Sequence, residues 1–258
     1  MKKHFINKRS YWACLIMVGT IVLGMAALSL PSALANDKDD GVGIIDPTSV
    51  AYGKSYSDWS VAWEQWGYSI PVAQHPLFDN GDCSVGQSGP VWFLGGKFCA
   101  NGASCSYTGV VRSCNVPAGK ALYFPVFEGE DSALEESLAE HPGDEAYQQI
   151  TAMRSFEDLT MGPSTVSCWV DGKPIKHLKE RFRVQANAFG FTMPADNLLK
   201  AIYGDPNFVA GTYFPAVDDG WYVMLAPLPP GPHKIHFKGY MPAYDFTLDV
   251  TYNLTVAK

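Results

Sequence analysis

The chain has 258 residues, with 26 acidic against 19 basic side chains and a formal net charge of −7. Four of the basic residues, Lys2, Lys3, Lys8 and Arg9, lie in the first nine positions, and taking them away leaves −11. A surface so acidic repels polyanions, which excludes nucleic acid as a partner and disfavours anionic lipid headgroups.

Residues 1–35 read as a signal peptide. The basic start is followed by the apolar run "LIMVGTIVLGMAALSL" and by Ala33-Leu34-Ala35 as a cleavage site. The run is shorter than the roughly 20 residues of a spanning helix, and no later stretch is apolar enough to span, so no membrane span is expected after cleavage. The expected location is extracytoplasmic, periplasmic or secreted. Residues 36–54, "NDKDDGVGIIDPTSVAYGK", read as a loosely held, flexible leader. Residues 55–258 are expected to form a single β-sandwich-like domain with a helical insertion near 131–160.

Within that domain, "SYSDWSVAWEQWGYSIP" predicts a helix of about three turns, opened by a Ser55 and Asp58 capping box and stopped by Pro71. Trp59, Trp63, Trp66 and Ile70 fall on one stripe, with Asp58 and Glu64 off it, which predicts a buried seam rather than an aromatic platform. "GPVWFLGG" reads as a buried strand, and "GVVRSCNVPAGKALYFPVF" as two strands joined by a Pro-Ala-Gly turn. Residues 131–159 suggest two short helices, with a Ser132 and Glu135 capping pair and a break at Pro142-Gly143. "STVSCWVDGKPI" is a strand closed by Asp171-Gly172, and "RFRVQANAFGFTM" continues the alternation. "PADNLLKAIYGDP" is a short helix stopped by Gly204. "WYVMLAPLPPGPH", "HKIHFK" and "DFTLDVTYNLTV" then read as three strands of an antiparallel meander or Greek key. The fold class expected is mainly β: an antiparallel β-sandwich, jelly-roll or immunoglobulin-like, with short helical insertions.

Five cysteines follow the signal: Cys83, Cys99, Cys105, Cys114 and Cys168. The absence of C-x-x-C spacing and of a nearby His pair argues against zinc and for disulfides, and spacing alone leaves the pairing open. The combination of W-x-x-x-W-x-Q-W at 59–66 with "GQSGPVWFLGG", "CNVPAGKALYFPV" and "PLPPGPHKIHFKG" resembles a family of uncharacterised exported bacterial proteins over most of the mature chain. The resemblance implies a Cys83–Cys114 bridge and, because "FCANGASC" looks like an addition, a local bridge between Cys99 and Cys105. It implies no catalytic residue.

His233 and His236 fall on opposite faces of a strand and so make a poor metal pair. Cys168 alternates with Val166 and Val170, as a buried inert thiol does. Ser88 in "GQSGP" lacks the G-x-S-x-G pattern and reads as a turn. The acids of "FDNGDC" (Asp79, Asp82) and "FEGED" (Glu128, Glu130, Asp131) are read as loop residues at strand ends that could converge. Two chemistries fit such a set. One is a calcium clasp centred on Asp82 and Glu128; the other is a carboxylate pair for glycosidic cleavage. The leading reading is an exported, disulfide-stabilised β-sandwich protein that acts by binding, with its ligand unidentified, or as an envelope component; a glycan or envelope component is the candidate partner and calcium the candidate cofactor. The alternative is a secreted hydrolase acting on polysaccharide with the loop carboxylates.

Overall fold

The computed structural model describes residues 43–102 and 106–258. The expected signal peptide, the start of the leader and Cys105 lie outside the described residues. Helix α1 (Tyr56–Ser69) comes first, and its N-terminus is the expected capping box: the Ser55 hydroxyl accepts from the Asp58 amide, and the Asp58 carboxylate accepts from the Ser55 amide. Strands β1 (Val91–Phe93), β2 (Val110–Val116) and β3 (Ala121–Ser132) follow. A single turn α2 (Ala133–Glu135), continued by a wider turn over Glu136–Glu140, and helix α3 (Ile150–Met161) flank the Pro142-Gly143 break. Strands β4 (Thr165–Val170) and β5 (Lys173–Pro174) form the expected hairpin; Asp171 and Gly172 both have positive φ, as its tight turn requires. Then come α4 (Leu178–Arg181), β6 (Arg183–Gln185), β7 (Phe189–Met193) and α5 (Leu198–Tyr203), which is capped by Asn197 and ended by Gly204 in the left-handed region. The long strands β8 (Gly211–Leu225), β9 (Gly231–Met241) and β10 (Phe246–Val256) complete the chain.

The strands form two sheets. The first runs β1-β3-β8-β6, with β7 also on β8, and the second runs β2-β10-β9-β4-β5. This is a mainly-β, sandwich-like fold, but its sheets are mixed: β1 runs parallel to β3 and β2 parallel to β10. The expected three-strand meander is only partly present. β9 and β10 pair antiparallel, whereas β8 lies in the first sheet and "APLPPGP" carries the chain across to the second. Prolines without amide donors suit such a crossing better than a tight hairpin.

Alternation along β3, shifted by a bulge between Pro125 and Phe127, fixes the layers. Phe124 and Phe127 face the second sheet, where they meet Phe237 at 5.6 Å and Phe246 at 5.8 Å between ring centroids. Gly239 lets Phe127 come this close, since a Cβ there would lie 2.0 Å from the ring. Tyr123 faces the other way and meets α1, as does Tyr222 of β8. Helix α1 therefore packs on the outer face of the first sheet. Trp59, Trp63, Trp66 and Ile70 are all buried, and each indole N–H donates to a backbone carbonyl, that of Ala51, Leu94 or Val85. Rings of this size stabilise the fold by about 4 to 6 kcal/mol each as an upper estimate.

The described part of the leader is not loose. Ile44 bridges Leu225, the Ile45 amide donates to the Met224 carbonyl at 2.9 Å, and the Tyr56 hydroxyl donates to the Ile45 carbonyl. Two isoleucines inside a polar stretch are enough to anchor it against the end of β8.

Candidate functional site: a buried carboxylate cluster

Helix α1 buries a second stripe beside its tryptophans. Ser60, Glu64 and Tyr68 recur every fourth residue and are all buried, Glu64 with 5% of its surface exposed. They face acids of the first sheet. In β3, Glu128 and Glu130 share one face and Gly129 and Asp131 the other, and in β8 Asp218 turns toward α1 while Asp219 turns away. One oxygen each from Glu64, Glu128 and Asp218 lie within 4.8 Å of one another. The Tyr222 hydroxyl donates to Asp218 Oδ1 at 2.8 Å and sits 3.5 Å from Glu64 Oε1. Asp218 Oδ2 is buried without a hydrogen-bond partner among the described residues, and the nearby Ser60 hydroxyl donates to the Ser57 carbonyl. Glu128 is half-buried and takes no hydrogen bond from the described residues.

A second group adjoins the first. Glu130 and Glu135 lie close enough for each to perturb the other's ionisation. Tyr68 donates to Glu130; Ser132, the N-cap of α2, donates to Glu135 at 2.6 Å; and the Tyr203 hydroxyl of α5 lies 3.1 Å from Glu135 Oε1. Burial, then mutual repulsion, drives these acids toward their neutral forms. Glu64, Glu130 and Asp218 are pushed well above the ordinary carboxylate range, and Glu128 and Glu135 are raised to about 7. On the far side of β3, Glu157 of α3 is raised for the same reason, occupying the space that the missing side chain of Gly129 leaves: a Cβ there would lie 2.4 Å from its carboxylate.

Magnitudes show why this cluster stands out. Two carboxylates nearly 5 Å apart repel by about 3 to 4 kcal/mol at an effective dielectric constant of about 20. Three such pairs approach the whole stability of a domain, about 5 to 15 kcal/mol. Among the described residues no Lys, Arg or His pairs with Glu64, Glu128, Glu130, Glu135 or Asp218. Asp219, by contrast, is neutralised by Arg183 at 2.8 and 2.6 Å. The five acids stay protonated, or a cation joins them.

The structure separates the acids that the sequence grouped. Asp79 accepts from Lys97 and Arg112, both at 2.7 Å; burial alone would raise its pKa, but those bonds hold it below the usual range. Asp82 is exposed and closes a turn by accepting from the Ser84 amide at 2.7 Å and the Ser84 hydroxyl. Both line a cavity of about 160 Å³ beside the Cys83–Cys114 disulfide, and neither joins the cluster around Glu128. Glu128, Glu130 and Asp131 are not loop residues, because β3 continues through them to Ser132 in register with β8. Asp131 faces away from Glu128, toward Glu157. Asp82 and Glu128 therefore do not form the expected pair; the acids that gather about Glu128 are Glu64 and Asp218.

The remaining candidates take structural roles. His233 bonds Asp171 and the Pro229 carbonyl, and His236 bonds Asp249 and stacks on Trp169. Cys168 is a free thiol, 1% exposed, whose pKa burial pushes up. Ser88 is exposed in a loop. Cys99 is disulfide-bonded, and Cys105, the partner expected for it, lies outside the described residues.

Sequence reasoning missed Glu64, Asp218 and Glu135 as site residues. Glu64 was set aside as lying off the tryptophan stripe, although the Ser60-Glu64-Tyr68 spacing marks a second stripe next to it. "DDG" at 218–220 stands just ahead of the apolar run "WYVML", and it lies inside the fifteen residues of β8.

A second cavity, of about 180 Å³, opens beside the bulge of β3 at Pro125–Phe127 and is lined in part by Glu128. Among the described residues no helix is long and apolar enough to cross a membrane. No family model matches the chain, and no curated protein is similar to it. A solved structure of PbICP-C in complex with falcipain-2 aligns with 64% of this chain and 97% of that one, at 10% identity and a TM-score of 0.22. A likeness that low carries no inference about function.

Proposed function

We propose that this is an exported binding protein of the family its motifs resemble, and that Glu64, Glu128 and Asp218 hold a divalent cation of the calcium class. One observation carries the reading: three carboxylate oxygens from three different elements gather within 4.8 Å with no cationic side chain among them. Oxygens within 4.8 Å of one another lie close enough to share one cation, and a hard divalent ion takes oxygen ligands of this kind. The unpaired Asp218 Oδ2 supplies a further lone pair. Calcium also tolerates ligands on flexible side chains and is the common divalent ion outside cells. The disulfide and the absence of a spanning helix among the described residues support an extracytoplasmic setting.

Terbium luminescence tests the site, because Trp63 adjoins Glu64 and lies 6.4 Å from the Tyr222 ring, so a bound ion has an indole donor beside it. Purified protein should sensitise terbium emission that calcium displaces, and Glu128→Gln and Asp218→Asn should each abolish it. Silence of the wild-type protein, with a melting temperature that calcium does not raise, would remove the cation from the reading.

The hydrolase alternative is favoured by the neighbouring Glu130 and Glu135, since adjacent buried carboxyls whose environments differ can serve as acid and base. Release of reducing ends from polysaccharide by the wild-type protein, lost in Glu135→Gln, is the outcome it requires.

A further inference from the structure

We propose that the cavity of about 180 Å³ beside Glu128 is a binding site for a small organic ammonium ion, a primary amine carried on one aromatic ring or a short aliphatic body. Size sets the first limit. A dry apolar cavity of about 150 Å³ holds a benzene-sized molecule, so this one admits a single ring with a one-atom arm. Its walls set the second. Tyr107, Phe246 and Phe127 form a continuous aromatic side, with centroids 4.8 Å apart for the first pair and 5.8 Å for the second, and Trp63 and Phe98 stand among the other walls. Such faces favour an apolar body and attract a cation through their quadrupoles.

Charge decides the polar end. Lys97 and Glu128 are the basic and acidic side chains that line the cavity. Lys97 is already paired with Asp79 at 2.7 Å, so its charge is neutralised. Glu128 accepts no hydrogen bond from the described residues, and Glu64 and Asp218 crowd its carboxyl from behind. The polar end of the cavity is therefore a carboxyl short of donors and of positive charge. It repels a carboxylate or phosphate, leaves a neutral alcohol with one acceptor to bond, and gives an ammonium group both a charge partner and up to three N–H donors to spend on the Glu128 oxygens. The inference needs the Glu128 charge and not a bound cation, so it stands or falls apart from the calcium reading.

The test compares three probes of nearly equal shape, benzylamine, benzyl alcohol and benzoate, by calorimetric titration into calcium-depleted full-length protein near pH 8. Benzylamine should bind about tenfold or more tighter than benzyl alcohol, with benzoate weakest, as expected where a charge-assisted bond replaces a neutral one away from bulk water. Glu128→Gln should bring benzylamine down to the level of benzyl alcohol. That substitution removes a repelled charge, so the fold should hold, and thermal melting checks it. Tyr107→Ala, at the half-buried rim, should weaken benzylamine while leaving terbium luminescence unchanged. Benzylamine binding no tighter than benzyl alcohol, or unaltered by Glu128→Gln, overturns the proposal. Benzylamine binding without terbium luminescence removes the cation reading alone.

Discussion

Glu128 is held in place by the strand on which it sits and by nothing that its own carboxylate bonds. Burial, and then repulsion from Glu135, oppose its ionised form and raise its pKa to about 7. Replacing it with Gln keeps the shape and removes the repulsion. Glu128→Gln should therefore stabilise calcium-free protein at pH 8 by about 1 to 3 kcal/mol, read as a higher denaturation midpoint in urea, and should cancel any stabilisation by calcium. A lower midpoint would mean that Glu128 has a partner the cluster geometry does not show. Trp63 is the contrasting residue. It is 1% exposed, and its indole N–H donates to the Leu94 carbonyl at 2.7 Å. Trp63→Ala leaves both a cavity and an unpaired carbonyl and should cost about 3 to 5 kcal/mol in the same measurement.

At the level of elements, the sequence is legible where one local rule decides and obscure where partners come from far along the chain. The α1 capping box, the Asp171-Gly172 hairpin and the Gly204 stop each depend on a few adjacent residues, and all three form as read. Whether β8 shares a sheet with β9 depends on pairings more than 80 residues distant, with β3, and the unbroken apolar run "WYVML" fits either sheet. The acids fail for the same reason. Glu128 and Glu130 after an apolar run look like the end of a strand, and only the opposing backbone of β8, with α1 laid over it, makes burial of those carboxylates tolerable. The Cys83–Cys114 bridge is a long-range feature that the motifs did reveal, and it closes a separation of 31 residues between the Asp82 turn and β2. Restricting a loop of that size in the unfolded chain is worth about 3 to 4 kcal/mol. A Cys83→Ala/Cys114→Ala double variant should lose about that much stability, with terbium luminescence retained, because the carboxylate cluster draws on neither segment.

Across the whole molecule, the buried acids couple stability to pH in a direction opposite to that of an ordinary acidic protein. Glu64, Glu128, Glu130, Glu135, Asp218 and Glu157 all have pKa values raised by folding, so the folded state holds protons that the unfolded chain has already released. Their contribution is fully present below the unfolded value, near 4.5, and is lost as pH rises through the folded values, which for Glu128 and Glu135 means through about 7. Other groups act differently. Asp46, Asp79 and Asp249 have lowered values, so their contribution falls away only in acid, below about pH 4. His75 is buried and depressed to about 4, so stability gained from its neutral form grows between about pH 4 and 6.5 and partly offsets the acids there. Above 6.5 His75 adds nothing further and the acids act alone. In the presence of a chelator the melting temperature should therefore fall from pH 5 to pH 8, the share due to Glu128 and Glu135 ending near pH 7. A cation in the cluster takes the place of those protons, so calcium should raise the melting temperature more at pH 8 than at pH 5 and flatten the profile. Glu128→Gln should reduce both the chelated slope and the calcium effect. A chelated melting temperature that holds level or climbs between pH 6.5 and 8 would show that these carboxylates are ionised and partnered in the folded protein, and that neither protons nor calcium are what the cluster lacks.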